Sequence, residues 1–475
     1  MREKVKSIIL ALLFINVLFF TWQLYFNGLY SVSFRPRQIE EVDDLIPSKI
    51  ESWIKPKRTI VHFSEDDHGV FYDTQKYPFW TYSLKYLKDQ SIKKENFVLE
   101  TIEEDKVIKM KNQFSVTYEF NYYMNEMFIS SVFNIPGLNF ISENGIVFNK
   151  LTFLVSKGDI IFEGEKENYI LKLNGEDIES IRRLANQVIE DGYVRYYPGI
   201  FLGSEKEIFS PISMNQEIGN FYTKQEIDIE DDKTVDLYAS KFFVQPIDMI
   251  RKIEDSEGNR IYMYEHSQLI VESDGLVKFY NTFSENVTTR DFKKGLEVAA
   301  KFILEKETNT ENTFLDKYIL ISDEQGNLGY RFFINYYYDE YPIIMHKNGN
   351  QIVYPYVIDV YGEKVQNFNR YVREKAIKEL PQIGIMDKER MTPLEVIELN
   401  LDRVEEIYTI SNQAEKYEKV LDLNNIEKIY FSYYDNCNGN KLVPIWVIEI
   451  ADVNYAFDMY SGRIIFKQIL KKELK

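Results

Sequence analysis

The chain has 475 residues, 45% of them hydrophobic and 28% charged, a globular balance that excludes a disordered or low-complexity protein. Its formal net charge of -18 argues against nucleic-acid binding, which needs clustered lysine and arginine to neutralise phosphates. A single cysteine, Cys437, excludes internal disulfides, so a region this long has to be stabilised by its size, as in a bacterial envelope protein.

The chain opens with Arg2, Lys4 and Lys6, then the apolar run Ser7–Phe26, broken only by Ser7, Asn16, Thr21 and Gln23. A helix of this length spans roughly 30 Å, the thickness of a bilayer core. The preceding basic residues predict a cytoplasmic N-terminus and a translocated remainder. The run is too long for the apolar part of a cleaved signal peptide, and Ser31–Ser33 is a poor cleavage site, so it reads as a retained anchor. Asn16, Thr21 and Trp22 are the candidate interaction residues in the membrane. Asn16 sits near the midplane, where its amide either bonds a neighbouring helix or folds back on its own backbone. Thr21 lies nearer the outer end, and Trp22 suits the headgroup zone.

The order that follows predicts a cytoplasmic tail 1–6, an anchor 7–26, a juxtamembrane linker 27–58, and three folded regions at 59–232, 233–375 and 376–475. Aromatic and β-branched residues predict strands over 114–122 and 145–154, and apolar spacing predicts a helix over 176–190. The acidic cluster 228–233 marks a boundary. Strands are then expected from Val235 to Asn281, with turns at 255–259 and 273–275. Thr288 and Asp291 have capping-box spacing ahead of a helix buried through Phe292, Leu296, Ala299 and Ile303. Strands over 319–322, 330–338, 343–346 and 354–360 follow. The pattern recurs: Thr392–Glu395 is a capping box with proline at the first helical position, Ile397, Leu401, Val404 and Tyr408 repeat the stripe, and strands follow at 426–434, 442–450 and 455–460. Both halves close on an aspartate and a glycine turn, at Asp359 and Asp458. The expected fold class is α+β: one transmembrane helix, then several domains of antiparallel sheets, each packed by a helix.

Three groups of residues resemble the YycH family of bacterial envelope regulators: the anchor from Lys6–Leu10 to Phe20–Leu24, the middle stretch Lys241–Pro246 with Met249–Arg251, Tyr262–Tyr264, Ser273–Gly275, Phe279 and Tyr280, and the two related C-terminal units after a larger first region. The C-terminal units also resemble PepSY modules through Leu442–Trp446, Tyr455–Asp458 and Gly462. The sequence departs from the YycH pattern at Glu265–Ser267, where threonine, aspartate and glycine are expected. The resemblance implies no enzyme and no cofactor. It implies a protein outside the membrane that controls a sensor histidine kinase (YycG/WalK-like) of a cell-wall two-component system, with a YycI-like partner and transmembrane contacts.

The residues themselves give no catalytic constellation. His62–His68 places two histidines and three acids in seven residues, but matches no standard zinc spacing and reads as a solvated acidic loop. His266 and His346 stand alone. Ser91–Lys94 satisfies S-x-x-K without its companion motifs. Cys437 reads as an incidental turn residue with nothing near it to lower its pKa. Asp359 and Asp458 are expected to accept backbone N–H bonds in their turns rather than act as a carboxylate pair. No metal or catalytic residue is therefore assigned. A wall-polymer or peptide-binding module without a signalling role is the alternative, with an unusual hydrolase behind it.

Overall fold

A computed structural model describes residues 39–72, 76–89, 98–125, 145–173, 177–213, 221–307, 310–338, 341–347, 351–375, 390–404, 423–437 and 441–469. Asn16, Thr21, Trp22, the run 7–26 and Ser91–Lys94 lie outside the described residues. No helix among the described residues is long and apolar enough to cross a membrane. The chain divides into Met1–Ile46 and Pro47–Lys475, and helix α1 (Ile39–Trp53) spans the division.

Among the described residues the first sheet has nine strands: β1 (Arg58–His62), β2 (His68–Phe71), β3 (Val98–Ile102), β4 (Ser115–Asn125), β5 (Val147–Leu154), β6 (Asp159–Glu163), β7 (Asn168–Lys172), β8 (Arg195–Pro198) and β9 (Phe209–Pro211). Their spatial order is β3-β7-β6-β5-β4-β1-β2-β8-β9, all pairs antiparallel. Strand alternation gives the sheet two unlike faces. Val61, Val116, Tyr118, Leu151, Phe153, Ile160 and Phe162 give one face a buried apolar centre. Helix α2 (Phe79–Asp89) lies on it, with Trp80 edge-to-face on Tyr118 at 5.0 Å. Helix α3 (Glu104–Lys111) lies on the other face, where Val107 packs with Leu154, Ile161 and Ile170. The helix expected over 176–190 is α4 (Glu179–Asp191), which buries Ile181, Leu184, Ala185 and Val188 and packs beside α2.

Thr223–Gln225 forms β10. A helix, α5 (Asp232–Ser240), then stands where strands were expected to begin. Asp231, read as part of a boundary cluster, is its N-cap and accepts from the backbone N–H groups of Lys233 and Thr234. Val235, Tyr238 and Ala239 are its buried stripe, at helical spacing.

The large sheet begins with β11 (Arg251–Glu254), β12 (Arg260–Tyr264), β13 (Ser267–Val271) and β14 (Leu276–Asn281). Glu265 and His266 form the two-residue turn between β12 and β13, and Glu265 adopts φ +49 there, so the departure from the family pattern falls on a hairpin tip. Helix α6 (Phe292–Lys306) follows, capped by Asp291 itself, whose side chain accepts from Lys294 N; Thr288 stands outside the helix. It buries Leu296, Ala299 and Ile303 as expected, while Phe292, expected with them, is only half-buried at its start. The sheet continues with β15 (Thr313–Ser322), β16 (Leu328–Tyr338), β17 (Tyr341–Lys347), β18 (Gln351–Val353), β19 (Tyr356–Tyr361) and β20 (Lys364–Tyr371), and α6 lies against β16, β19 and β20. Strand β21 (Arg373–Lys375) pairs with β10 as a separate ribbon.

The second unit has its capping box: Thr392 Oγ1 accepts from Glu395 N and the Glu395 side chain accepts from Thr392 N, opening helix α7 (Pro393–Leu399). Val396, Ile397 and Val404 are buried and Leu401 is half-buried; Tyr408 lies outside the described residues. Strands β22 (Ile426–Asp435), β23 (Val443–Ile450), β24 (Val453–Asp458) and β25 (Ile464–Ile469) complete the meander, the last not foreseen from the sequence. The two meanders do not stay separate. β17 and β22 pair in parallel, Ile343 with Tyr433 through Met345 with Asp435, and join all these strands except β21 into one sheet of fourteen. This is the one parallel pair in otherwise antiparallel sheets among the described residues.

Candidate functional site

The face of the first sheet beneath α3 carries most of its ionisable groups. Pairing register puts Arg58 opposite Glu119, Glu119 opposite Lys150, and Lys150 opposite Glu163. Four strands thus present a row of alternating charge, the favourable arrangement for cross-strand neighbours. Arg58 is ion-paired to Glu119, and its Nη1 also donates to the Ile429 carbonyl of β22 at 2.5 Å, tying the two large sheets together. Lys150 Nζ lies 3.3 Å from Glu119 Oε1 and 2.9 Å from Glu207 Oε2. Lys111, the last residue of α3 and buried, donates to Glu163 at 2.6 Å and to Glu207 at 2.8 Å. Three cations and three carboxylates cancel, which is what allows them to be buried together.

The electrostatics follow from that pairing. Burial alone would raise the Glu119 carboxyl, but Arg58 and Lys150 outweigh it and hold it at about 2. Burial likewise opposes ionisation of Glu207, and Lys111 and Lys150 reverse the effect and hold it well below the usual carboxylate range.

Two residues along the strands on the same face, Thr117 faces Thr152 and their hydroxyls meet at 2.8 Å. Thr152 donates to Glu163 at 2.9 Å. On the other side Thr117 Oγ1 is 3.0 Å from His62 Nε2, and His62 Nδ1 is 3.0 Å from His68 Nδ1. His68 Nε2 donates to the Glu65 carbonyl at 3.0 Å. A continuous polar line therefore runs from the β1–β2 turn to helix α3.

This overturns the solvated-loop reading of His62–His68. The intervening Glu65 and Asp66 are exposed, but His62 and His68 are only 2% and 1% exposed and close the β1–β2 hairpin as register partners. Both rings pack edge-on against Phe209, with centroids 5.6 and 5.1 Å away. Burial is the main reason both imidazoles are held below their usual pKa; for His62 the neighbouring His68 and Lys111 add to it. Among the described residues no three His, Cys, Asp or Glu side chains converge as a metal set. A cavity of about 530 Å³ opens beside the pair, walled by Lys111, Glu207, Phe209 and Ile200. Gly199 lets the chain turn there, since a Cβ would lie 2.4 Å from the Lys206 carbonyl oxygen.

The remaining candidates scatter. His266 is exposed on its hairpin tip and His346 lies buried in β17. Asp458 accepts from Tyr460 N and Ser461 N, the turn role expected of it. Asp359 does not: it accepts a bidentate bond from Arg331, at 2.6 and 2.7 Å, and one from Asn367. Cys437 is buried at φ +60 with Arg373 beside it, a basic neighbour that the sequence did not reveal. Burial and Asp435 outweigh that cation and push the thiol up to about 12.

The described residues form a mixed α+β protein of antiparallel sheets with few helices. No family model matches the chain, and no curated protein sequence matches it. Among solved structures the Bacillus megaterium YpeB C-terminal domain is similar over 51% of this chain and 98% of that chain, at 10% identity and a TM-score of 0.23, a level that carries no argument.

Proposed function

We propose that the chain is a membrane-anchored extracytoplasmic regulator of the YycH type, with PepSY-like C-terminal units, that modulates a sensor histidine kinase of a cell-wall-related two-component system together with a YycI-like partner. The observation that supports this reading lies in the middle stretch that carries the resemblance. Val244 and Met249 there are 98% and 70% exposed. Apolar side chains offered to water on either side of Pro246 are suited to burial against a partner protein. The test is a photo-reactive amino acid at Val244 in the full chain in native membranes. A crosslink to the kinase or to a second membrane regulator supports the reading; crosslinks to neither count against it.

A second reading draws on a cleft of about 690 Å³ beside the same stretch, walled by Phe243, Gln245, Tyr264, Asn281 and Phe283. Aromatic faces interleaved with amide groups suit a wall polymer or an extended peptide. Retention of the protein on isolated cell walls, lost on Tyr264→Ala, favours that reading.

A further inference from the structure

The hydrogens along the polar line can be counted. The Glu65 carbonyl only accepts, so His68 Nε2 carries a hydrogen. At the far end the Glu163 carboxylate, ion-paired to Lys111 at 2.6 Å, only accepts, so Thr152 gives it its one hydroxyl hydrogen. The 2.8 Å contact between the threonines must then be filled by Thr117. With its own hydrogen committed to Thr152, Thr117 accepts from His62, so His62 Nε2 also carries a hydrogen. The Nδ1–Nδ1 contact at 3.0 Å needs one more. The two imidazoles therefore require three hydrogens between them, and two neutral imidazoles hold only two. A fourth would set two N–H groups head to head across the same 3.0 Å.

We propose that His62 and His68 form a binding site for one shared proton, whose uptake completes a hydrogen-bonded line from the β1–β2 turn through Thr117 and Thr152 to Glu163 and helix α3. In the neutral pair one contact of the line lacks its hydrogen. In the singly protonated pair all are made, and the turn and α3, on either side of the cavity, are linked. The charged groups facing the pair are Asp66 and Asp67 in its own turn, Lys111 on α3, Lys150 on β5 and Glu207 ahead of β9. Behind them stand Arg58 on β1, Glu119 on β4 and Glu163 on β6, within a cluster whose six charges cancel. Burial and the two lysines oppose the proton and the carboxylates favour it, so uptake falls below the usual imidazole range. The proton site is a property of the chain alone and stands whether or not the chain regulates a kinase.

The chain has four histidines, so 15N-histidine labelling of the full-length protein in detergent micelles gives a spectrum simple enough to assign. On acidification the His62 and His68 nitrogens should move together through one midpoint and take up one proton between them, as coupled sites do. Thr152→Val frees the Thr117 hydrogen for His62 Nε2 and so satisfies the neutral pair. It should weaken proton binding about tenfold, lowering the midpoint by about one pH unit. Thr117→Val removes the acceptor of His62 Nε2 and should do the same. Unchanged His266 and His346 signals report an intact fold in both variants. Two separate midpoints with two protons bound, a pair that stays neutral until the protein unfolds, or midpoints unmoved in both variants would overturn the proposal.

Discussion

Arg373 Nε donates to Asp435 Oδ2 at 2.8 Å, and this buried pair joins the end of the first meander to the first strand of the second. Arg373 Nη1 continues to the Cys437 carbonyl at 3.0 Å, and Nη2 donates to Thr223 Oγ1 at 2.5 Å, so one guanidinium holds three segments. Removing one partner of such a pair strands a buried charge. Arg373→Met should destabilise the protein by about 3–5 kcal/mol, and Arg373→Met with Asp435→Leu should recover most of that loss. Urea unfolding of the four proteins in the cycle measures it, and a loss in the double variant equal to the sum of the two single losses would show that the charges do not act as a pair.

Acid should destabilise the protein in two stages. His62 and His68 have folded pKa values below the unfolded value near 6.5, so the unfolded chain binds protons first and stability falls as pH drops below about 6.5. Below about pH 4.5 a steeper loss begins, because Glu119, held at about 2, is protonated more readily when unfolded. That shift alone is worth about 3 kcal/mol above the unfolded pKa, lost progressively toward pH 2. Melting temperature against pH checks both stages, and His62→Gln should flatten the first while sparing the second.

Local chemistry was legible in the sequence and long-range register was not. The Thr392–Glu395 capping box, the α4 and α6 stripes and most strands of the two meanders were readable because their signals lie within a few residues, whereas β18, β20 and β25 were not foreseen. Helix α5 was not legible because it is short, nine residues with only Val235, Tyr238 and Ala239 buried, and its cap Asp231 lies within an acidic cluster. The polar face of the first sheet was invisible for a different reason. Arg58, Glu119, Lys150 and Glu163 meet only through the register of four strands spread over about a hundred residues, and no local pattern encodes that pairing. The alternation Arg58, Ile60, His62 was the available hint, since a period of two puts the arginine and the histidine on one face. The Ile343–Tyr433 parallel pair was equally nonlocal, and the duplication pointed instead to two independent units.

Cys437 should be silent to thiol reagents in the folded protein. Its thiolate is the reactive form, and burial beside Asp435 pushes the thiol up to about 12. Maleimide labelling at pH 7.5 should be negligible in native buffer and complete in urea. Fast labelling of the native protein would mean that the turn after β22 opens readily.

The anchor carries the last expectation. A helix that serves only to tether needs apolar length, and any leucine-rich run of twenty residues supplies it. If the run Ser7–Phe26 spans the membrane as proposed, Asn16 falls near its middle, where water would not reach the amide, whereas Ser7, Thr21 and Gln23 would be close enough to an end to be hydrated. Under that proposal Asn16 is the residue best placed to bond a helix of the proposed kinase or of a YycI-like partner, an interaction that would be worth about 1 kcal/mol. A regulator biases a two-state receptor only through contacts that differ between the states, and one interhelical bond is enough to shift the populations about fivefold. Asn16→Leu should leave insertion intact, because it adds hydrophobicity, while lowering co-purification with the kinase and changing expression of its target genes. A poly-leucine replacement should do the same, more strongly. If the poly-leucine chain co-purifies and regulates as the native chain does, the membrane helix is a tether. The recognition then resides in the extracytoplasmic surface around Val244.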